Sequence, residues 1–234
     1  MLSKYVKPGD KVEVQAVERV KFADEGEKKK VYASMVSDIL SDDQLEIVMP
    51  MEKSKLILLP VNAEYDVYFY TESGLYQCFV KVIDRYKQDN QYILLLELTS
   101  NLRKFQRREY YRLGCALEMS ARPLEKEEIR AVENNDKYLV PGLPLKRSVI
   151  VDISGGGIRF VGDYCYEPDS LVCCKYNLAT DGKSKEYTLI SKILTARELP
   201  DRPGLYEHRA QYIHIDTAER EEIIRFIFEE ERKH

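Results

Sequence analysis

Arg108 and Arg112 stand four residues apart in Arg107-Arg-Glu-Tyr-Tyr-Arg112, and about forty residues later comes Asp152-Ile-Ser154-Gly-Gly-Gly157. A guanidinium offers five donors in a planar fork. It can grip phosphate oxygens or the O6 and N7 edge of guanine bidentately, and its flat face stacks on a base. An ionised carboxylate at Asp152 can accept from the N1–H and N2–H groups of guanine, and Ser154 adds a hydroxyl that donates or accepts. Gly155, Gly156 and Gly157 permit positive φ and leave no side chain between backbone and ligand. Together these residues describe recognition of an anionic, guanine-containing ligand, which is binding rather than catalysis. Taken alone, the arginine spacing is that of any solvated basic segment, and Asp, Ser and Gly are also what a tight hairpin turn requires.

The setting sharpens the first segment. Asn101 to Arg112 holds Arg103, Lys104, Arg107, Arg108 and Arg112 against the single acid Glu109, in a chain of formal net charge −4. Residues 1–100 carry 13 basic and 17 acidic side chains and residues 101–234 carry 23 of each, so the basic cluster stands out locally. This balance argues against a protein that coats a nucleic acid polymer through a broad positive field, but leaves room for a local anion site. No run approaches the roughly 20 apolar residues of a membrane-spanning helix, and the N-terminus lacks the apolar core of a signal peptide, so a cytoplasmic protein without membrane insertion is expected. The cysteines Cys78, Cys115, Cys165, Cys173 and Cys174 are odd in number without C-x-x-C spacing, and read as buried free thiols.

Alternating apolar residues predict strands at Lys11–Glu18, Val31–Leu40, Gln44–Met49, Lys55–Leu59, Tyr65–Thr71, Leu75–Tyr86 and Gln91–Leu98. Short Asp, Asn, Gly, Pro and Ser signals separate them, and Ala23 to Lys30 reads as a hairpin loop. Such a series argues for a small antiparallel barrel over residues 1–100. Residues 101–109 read as a linker carrying the start of the ligand motif, with Asn101–Gln106 as the hinge. A second barrel is expected over 110–234, with strands at Tyr110–Met119, Arg147–Ile153, Gly157–Val161, Leu171–Leu178, Glu186–Ala196 and Tyr206–Ile215. Between the first two of these, Glu125–Asn135 suits a short surface helix or a mobile excursion. Asp216 or Thr217 caps a C-terminal helix whose apolar face is Ile223, Ile224, Ile227 and Phe228, expected to dock across the mouth of the second barrel. The fold class is therefore mainly β: two small antiparallel β-barrels joined by a short basic linker, with a C-terminal α-helix.

Arg108-x-x-x-Arg112 followed by Asp152-x-Ser154-x-x-Gly157 resembles the signature of PilZ domains, bacterial receptors for cyclic di-GMP, and the preceding barrel resembles the N-terminal domain of YcgR-type flagellar brake proteins. The resemblance implies that Arg108 and Arg112 hold phosphate and guanine, while Asp152, Ser154, Gly156 and Gly157 hold the other guanine edge. Arg107 resembles the extra arginine of members that take a stacked pair of ligand molecules. It further implies a change of domain arrangement on ligand binding, regulation of motility, the flagellar motor or its stator as partner, and recruitment to the flagellar basal body. One departure is Arg209-Ala210-Gln211, where many PilZ domains have a glycine near the start of the last strand.

Two other readings have less support. A PilZ-fold interaction adaptor with weak or no nucleotide binding sits poorly with the intact motif, and a single-stranded RNA-binding barrel sits poorly with the acidic first domain. For an enzyme there is no nucleophile paired with a base and no Walker or G-x-S-x-G loop. His208, His214 and His234 have no metal-ligand spacing, and the first two read as strand surface residues. No catalytic residue, metal or cofactor is expected.

Overall fold

The computed structural model describes residues 2–17, 30–180 and 182–233. The chain divides into two compact units, Met1–Arg107 and Arg108–His234. Each is built from antiparallel strands whose inward residues alternate with polar ones.

In the first unit a 3-10 turn at Leu2–Lys4 precedes β1 (Lys11–Ala16), β2 (Val31–Ile39), β3 (Gln44–Val48), the two-residue strands β4 (Met51–Glu52) and β5 (Lys55–Leu56), β6 (Glu64–Thr71), β7 (Gly74–Gln88), β8 (Gln91–Leu98) and β9 (Arg103–Lys104). The sheet order is β6-β1-β2-β3-β8-β7-β9, and β6 also pairs with β7, so six strands close a ring and β9 is an added edge on β7. Val12, Val14, Leu45, Ile47, Val67, Phe69, Val80 and Leu96 fill the interior, and Leu2 and Val6 join them. The strand expected over Lys55–Leu59 stops at Leu56. Lys53 and Ser54 take left-handed φ values of 47° and 65° and turn β4 directly into β5, after which the Ile57 N–H returns to the Pro50 carbonyl. The hairpin loop expected at Ala23–Lys30 lies, apart from Lys30, outside the described residues. Within the expected hinge, Arg103 and Lys104 pair with Gln77 and Tyr76, so this stretch belongs to the first unit's sheet.

The second unit runs β10 (Arg112–Pro123), α1 (Lys126–Glu133), β11 (Lys146–Ser154), β12 (Gly157–Gly162), β13 (Leu171–Thr180), β14 (Lys183–Leu199), β15 (Arg202–Tyr212) and α2 (Thr217–Glu231). Its strands close a six-stranded barrel in the order β10-β11-β12-β15-β14-β13. Phe160, Ile150, Ile153, Tyr176 and Leu189 fill it, together with Ile223, Phe226 and Ile227 of α2. Asp216 caps that helix by accepting from the Glu219 N–H at 2.7 Å, as its position before the apolar run predicts. The inward face differs from expectation: Phe226 rather than Phe228 faces the core, because i, i+3, i+4 from Ile223 is the row that lies over the barrel, Ile224 is only half-buried and Phe228 is exposed.

Two further expectations are corrected. His208 is not a surface residue. It is fully buried, stacked on Phe160 with ring centroids 4.8 Å apart, and its Nε2 accepts the Tyr166 backbone N–H at 3.0 Å. The period-two pattern of β15 turns position 208 inward, and burial holds its imidazole down at about 4, so it is neutral. His214 is exposed but lies past the end of β15. Of the two readings of the excursion after β10 the helix holds, as α1, but it is tied inward rather than lying loosely on the surface. Glu128 on α1 is fully buried and gripped bidentately by Arg122 of β10 at 2.5 and 2.7 Å, and it also accepts the N–H groups of Glu125 and Val140. Of the cysteines, Cys78, Cys173 and Cys174 are buried free thiols, Cys115 is half-buried and Cys165 is exposed.

Candidate ligand-binding site

Antiparallel pairing removes the sequence distance between the two motifs. On β10 and β11 Arg112 lies opposite Ser154, and across the tight turn between β11 and β12 Ser154 lies opposite Gly157. Strict alternation along β11 from the buried Ile150 would turn Asp152 into the barrel. The pairing instead slips between Ile150 and Asp152, a β-bulge that returns Ile153 to the core and keeps Asp152 on the outer face. β10 has a matching slip between Gly114 and Leu117.

At the turn the need for glycine is steric. Neither Gly155 nor Gly156 has positive φ, and Gly157, at 159°, is near the extended limit. A Cβ on Gly157 would lie 2.1 Å from the Ala210 carbonyl oxygen of β15, and one on Gly155 would lie 2.7 Å from the Tyr110 ring and 2.9 Å from Ile224 of α2. Tyr110 therefore packs over the glycine turn. Arg220 of α2 fixes it by donating to its hydroxyl at 2.6 Å, with the guanidinium 5.4 Å from the ring centroid. The strand begins at Arg112 rather than at Tyr110, so Arg108 to Tyr111 form the approach to the barrel. The departure at Arg209-Ala210-Gln211 lies near the end of β15, directly opposite Gly157-Ile158-Arg159.

The polar atoms are partly committed. The Ser154 hydroxyl donates to the Gly157 carbonyl at 3.0 Å, and the Gly156 carbonyl accepts from the Tyr212 N–H at 3.1 Å. Asp152 Oδ2 accepts from Arg159 Nε at 2.6 Å. Arg159 in turn donates to Glu207 at 2.8 Å, and Glu207 also accepts from Arg197 at 3.1 Å. Sequence reasoning missed Arg159 and Glu207. The signal was present for Arg159, since alternation in Gly157-Ile-Arg-Phe160 places it outward beside Asp152. Arg159 and Glu207 also line an open groove of about 990 Å³ with Val149, Val151 and Val161, which Asp152, Ser154 and Gly157 do not line.

Arg112, Asp152, Ser154, Gly156 and Gly157 are thus brought together on the second unit, and exposed Arg108 stands at its head. Arg107 is placed differently. As the last residue of the first unit it donates to Glu13 at 2.7 Å and to the Tyr70 hydroxyl at 2.5 Å, 5.3 Å from the centroid of Tyr68. Burial pushes the Glu13 carboxyl up, but hydrogen bonds from Arg107 and Tyr70 outweigh it and hold the group below its ordinary value. Among the described residues no group of three or more His, Cys, Asp or Glu could hold a metal ion, and no helix is long and apolar enough to cross a membrane.

Comparison with known proteins gives this site a family. Residues 106–229 match the family model of the PilZ domain, and residues 7–98 match that of the flagellar protein YcgR. The chain belongs to the PilZ-domain family. In it the PilZ model covers every residue of both motifs, and the YcgR model covers the first barrel up to the end of β8. No curated protein sequence matches this PilZ chain. Among solved structures it is similar to the Bacillus subtilis inhibitor of motility MotI/DgrA, at 16% identity over 97% of this chain and 99% of the other, with a TM-score of 0.75. It is also similar to YcgR from Escherichia coli in complex with c-di-GMP, at 11% identity over 96% and 85%, with a TM-score of 0.45. At these identities the likeness to MotI/DgrA concerns the fold.

Proposed function

We propose that this PilZ protein is a non-enzymatic receptor for cyclic di-GMP that regulates motility by changing the arrangement of its two domains. One observation carries the reading: the bulge in β11 turns Asp152 outward beside a glycine turn that faces the second arginine of the motif. Asp152 Oδ1 accepts from the guanine N1–H and N2–H while Arg159 steadies Oδ2. Arg108 and Arg112 hold phosphate and guanine, and Ser154, Gly156 and Gly157 form the turn that, with Asp152, holds the other guanine edge. Arg107 serves a second ligand molecule. As the phosphates neutralise the arginines of segment 101–109, which joins the domains, that segment changes its contacts and the domain arrangement shifts with it. The match to the flagellar YcgR model and the shared fold with an inhibitor of motility support a cytoplasmic protein that acts on the flagellar motor or stator at the basal body.

Calorimetric titration with cyclic di-GMP, beside GTP, cyclic GMP and a short RNA, tests the reading. Saturable heat is expected from cyclic di-GMP alone. No heat at about tens of micromolar ligand would refute it. An equal response to RNA would favour an RNA-binding barrel instead.

A further inference from the structure

The first barrel carries a site for a guanidinium. Glu13 on β1 lies opposite Tyr68 on β6, and Tyr70 lies two residues further along β6, on the same face. They therefore present a carboxylate, an aromatic face and a hydroxyl at fixed strand spacings. The Tyr68 ring is steadied by its hydroxyl donating to Asp66 at 2.8 Å and by the edge of Phe105 at a centroid distance of 5.1 Å. Such a set matches all three ways in which arginine binds: paired charge, directed hydrogen bonds and stacking. Its occupant is the chain's own Arg107.

The segment leading to Arg107 is fastened to the same barrel. β9 pairs with β7, the Phe105 N–H returns to the Leu75 carbonyl at 2.8 Å, and Arg103 Nε donates to Gln77 at 2.6 Å. Arg107 is the last fastening before Arg108, where the second unit begins. With Nη1 on Tyr70, Nη2 on Glu13 and one face toward Tyr68, this guanidinium has its charge paired and its terminal fork engaged within the first barrel.

We infer that Glu13, Tyr68 and Tyr70 form an autoinhibitory cradle in which the Glu13 carboxylate stands in for the anionic ligand and holds Arg107, so that the binding step that uses Arg107 must first empty it. The inference rests on the cyclic di-GMP reading above. Its consequence is a threshold: the apparent affinity of that step falls by the fraction of molecules in which Arg107 is released, whereas steps that do not use Arg107 are unaffected.

The test titrates cyclic di-GMP into the full chain as wild type, Arg107→Ala, Glu13→Gln and Tyr70→Phe. Glu13→Gln keeps the side-chain shape and loses the charge. The step that Arg107→Ala removes should tighten about fivefold in Glu13→Gln, at the lower end of typical coupling between sites, and less in Tyr70→Phe. Circular dichroism at unchanged amplitude shows that the variants remain folded. If Arg107→Ala removes no step, or if that step is equal or weaker in Glu13→Gln, the cradle is overturned while the receptor reading stands. If wild type and Glu13→Gln both fail to bind cyclic di-GMP, the receptor reading falls and takes the cradle with it.

Discussion

Replacing Arg108 or Asp152 by alanine is expected to abolish measurable cyclic di-GMP binding while leaving the protein folded. Both side chains reach the outer surface, so neither deletion opens a cavity. In the proposed complex Asp152 gives the ligand a charged acceptor, and its loss would leave guanine N1–H and N2–H without that partner. It also leaves Arg159 with Glu207 alone, which would draw that guanidinium away from the site. In the proposed complex Arg108 supplies a bidentate donor to the ligand's phosphate, and an alanine there supplies none. Losing one partner of a hydrogen-bonded charge pair at an interface costs about 2–5 kcal/mol or more, which corresponds to a weakening of about 30-fold to several thousand-fold. Titration of each variant beside wild type, with circular dichroism as control, checks this. Unchanged affinity in either variant would show that the motif roles were assigned wrongly.

The second large effect concerns acid stability and arises in two stages. His208 is buried and neutral, at about 4 in the folded protein against an ordinary value of 6.5. Between pH 6.5 and 4 the unfolded chain therefore binds the extra proton, and stability falls as the pH falls, by about 3 kcal/mol once pH 4 is passed. Glu128 is the carboxylate case. Its bidentate pairing with Arg122, working against burial and helped by the N–H groups of Glu125 and Val140, holds it at about 2 against 4.5. The stability it contributes is fully present above pH 4.5 and is lost as the pH falls through 2, again about 3 kcal/mol. Urea unfolding of the full chain at pH 7, 5 and 4 should show the first stage, and His208→Gln, which can still accept from the Tyr166 N–H, should flatten it. Glu128→Gln at pH 7 removes the charge facing the buried Arg122 and should destabilise the second unit by about 3–5 kcal/mol. A wild-type stability that is level from pH 7 to 4, or a Glu128→Gln variant within 1 kcal/mol of wild type, a value typical of an exposed pair, would contradict this account.

Where local pattern decides the structure, the sequence was legible. Alternation located the strands of both barrels and the spacing of Asp216 and Ile223 located α2, because these features follow from burying one face of a strand or helix. The two motifs were visible as residue types. Their meeting was not, since the bulge at Ile150/Asp152 breaks the period that sequence reading relies on and is set by pairing with β10 and β12. The Arg122–Glu128 pair was hidden because charged residues in a polar stretch read as surface. His208 was misread as surface because of its polar type, although the alternation of Glu207, Arg209 and Gln211 with His208, Ala210 and Tyr212 marks its side of β15 as the inner one. The most consequential contact, Arg107 with Glu13, joins positions 94 residues apart and has no local signal at all.

The central claim is that cyclic di-GMP occupies the surface formed by the arginine motif and the Asp152 turn. Hydrogen–deuterium exchange of the full chain with and without saturating cyclic di-GMP addresses it most directly. The account predicts slowed exchange in peptides covering residues 108–112 and 152–157, with residues 103–107 changing as Arg107 leaves its cradle. Saturating ligand that leaves 108–112 and 152–157 unprotected would contradict it.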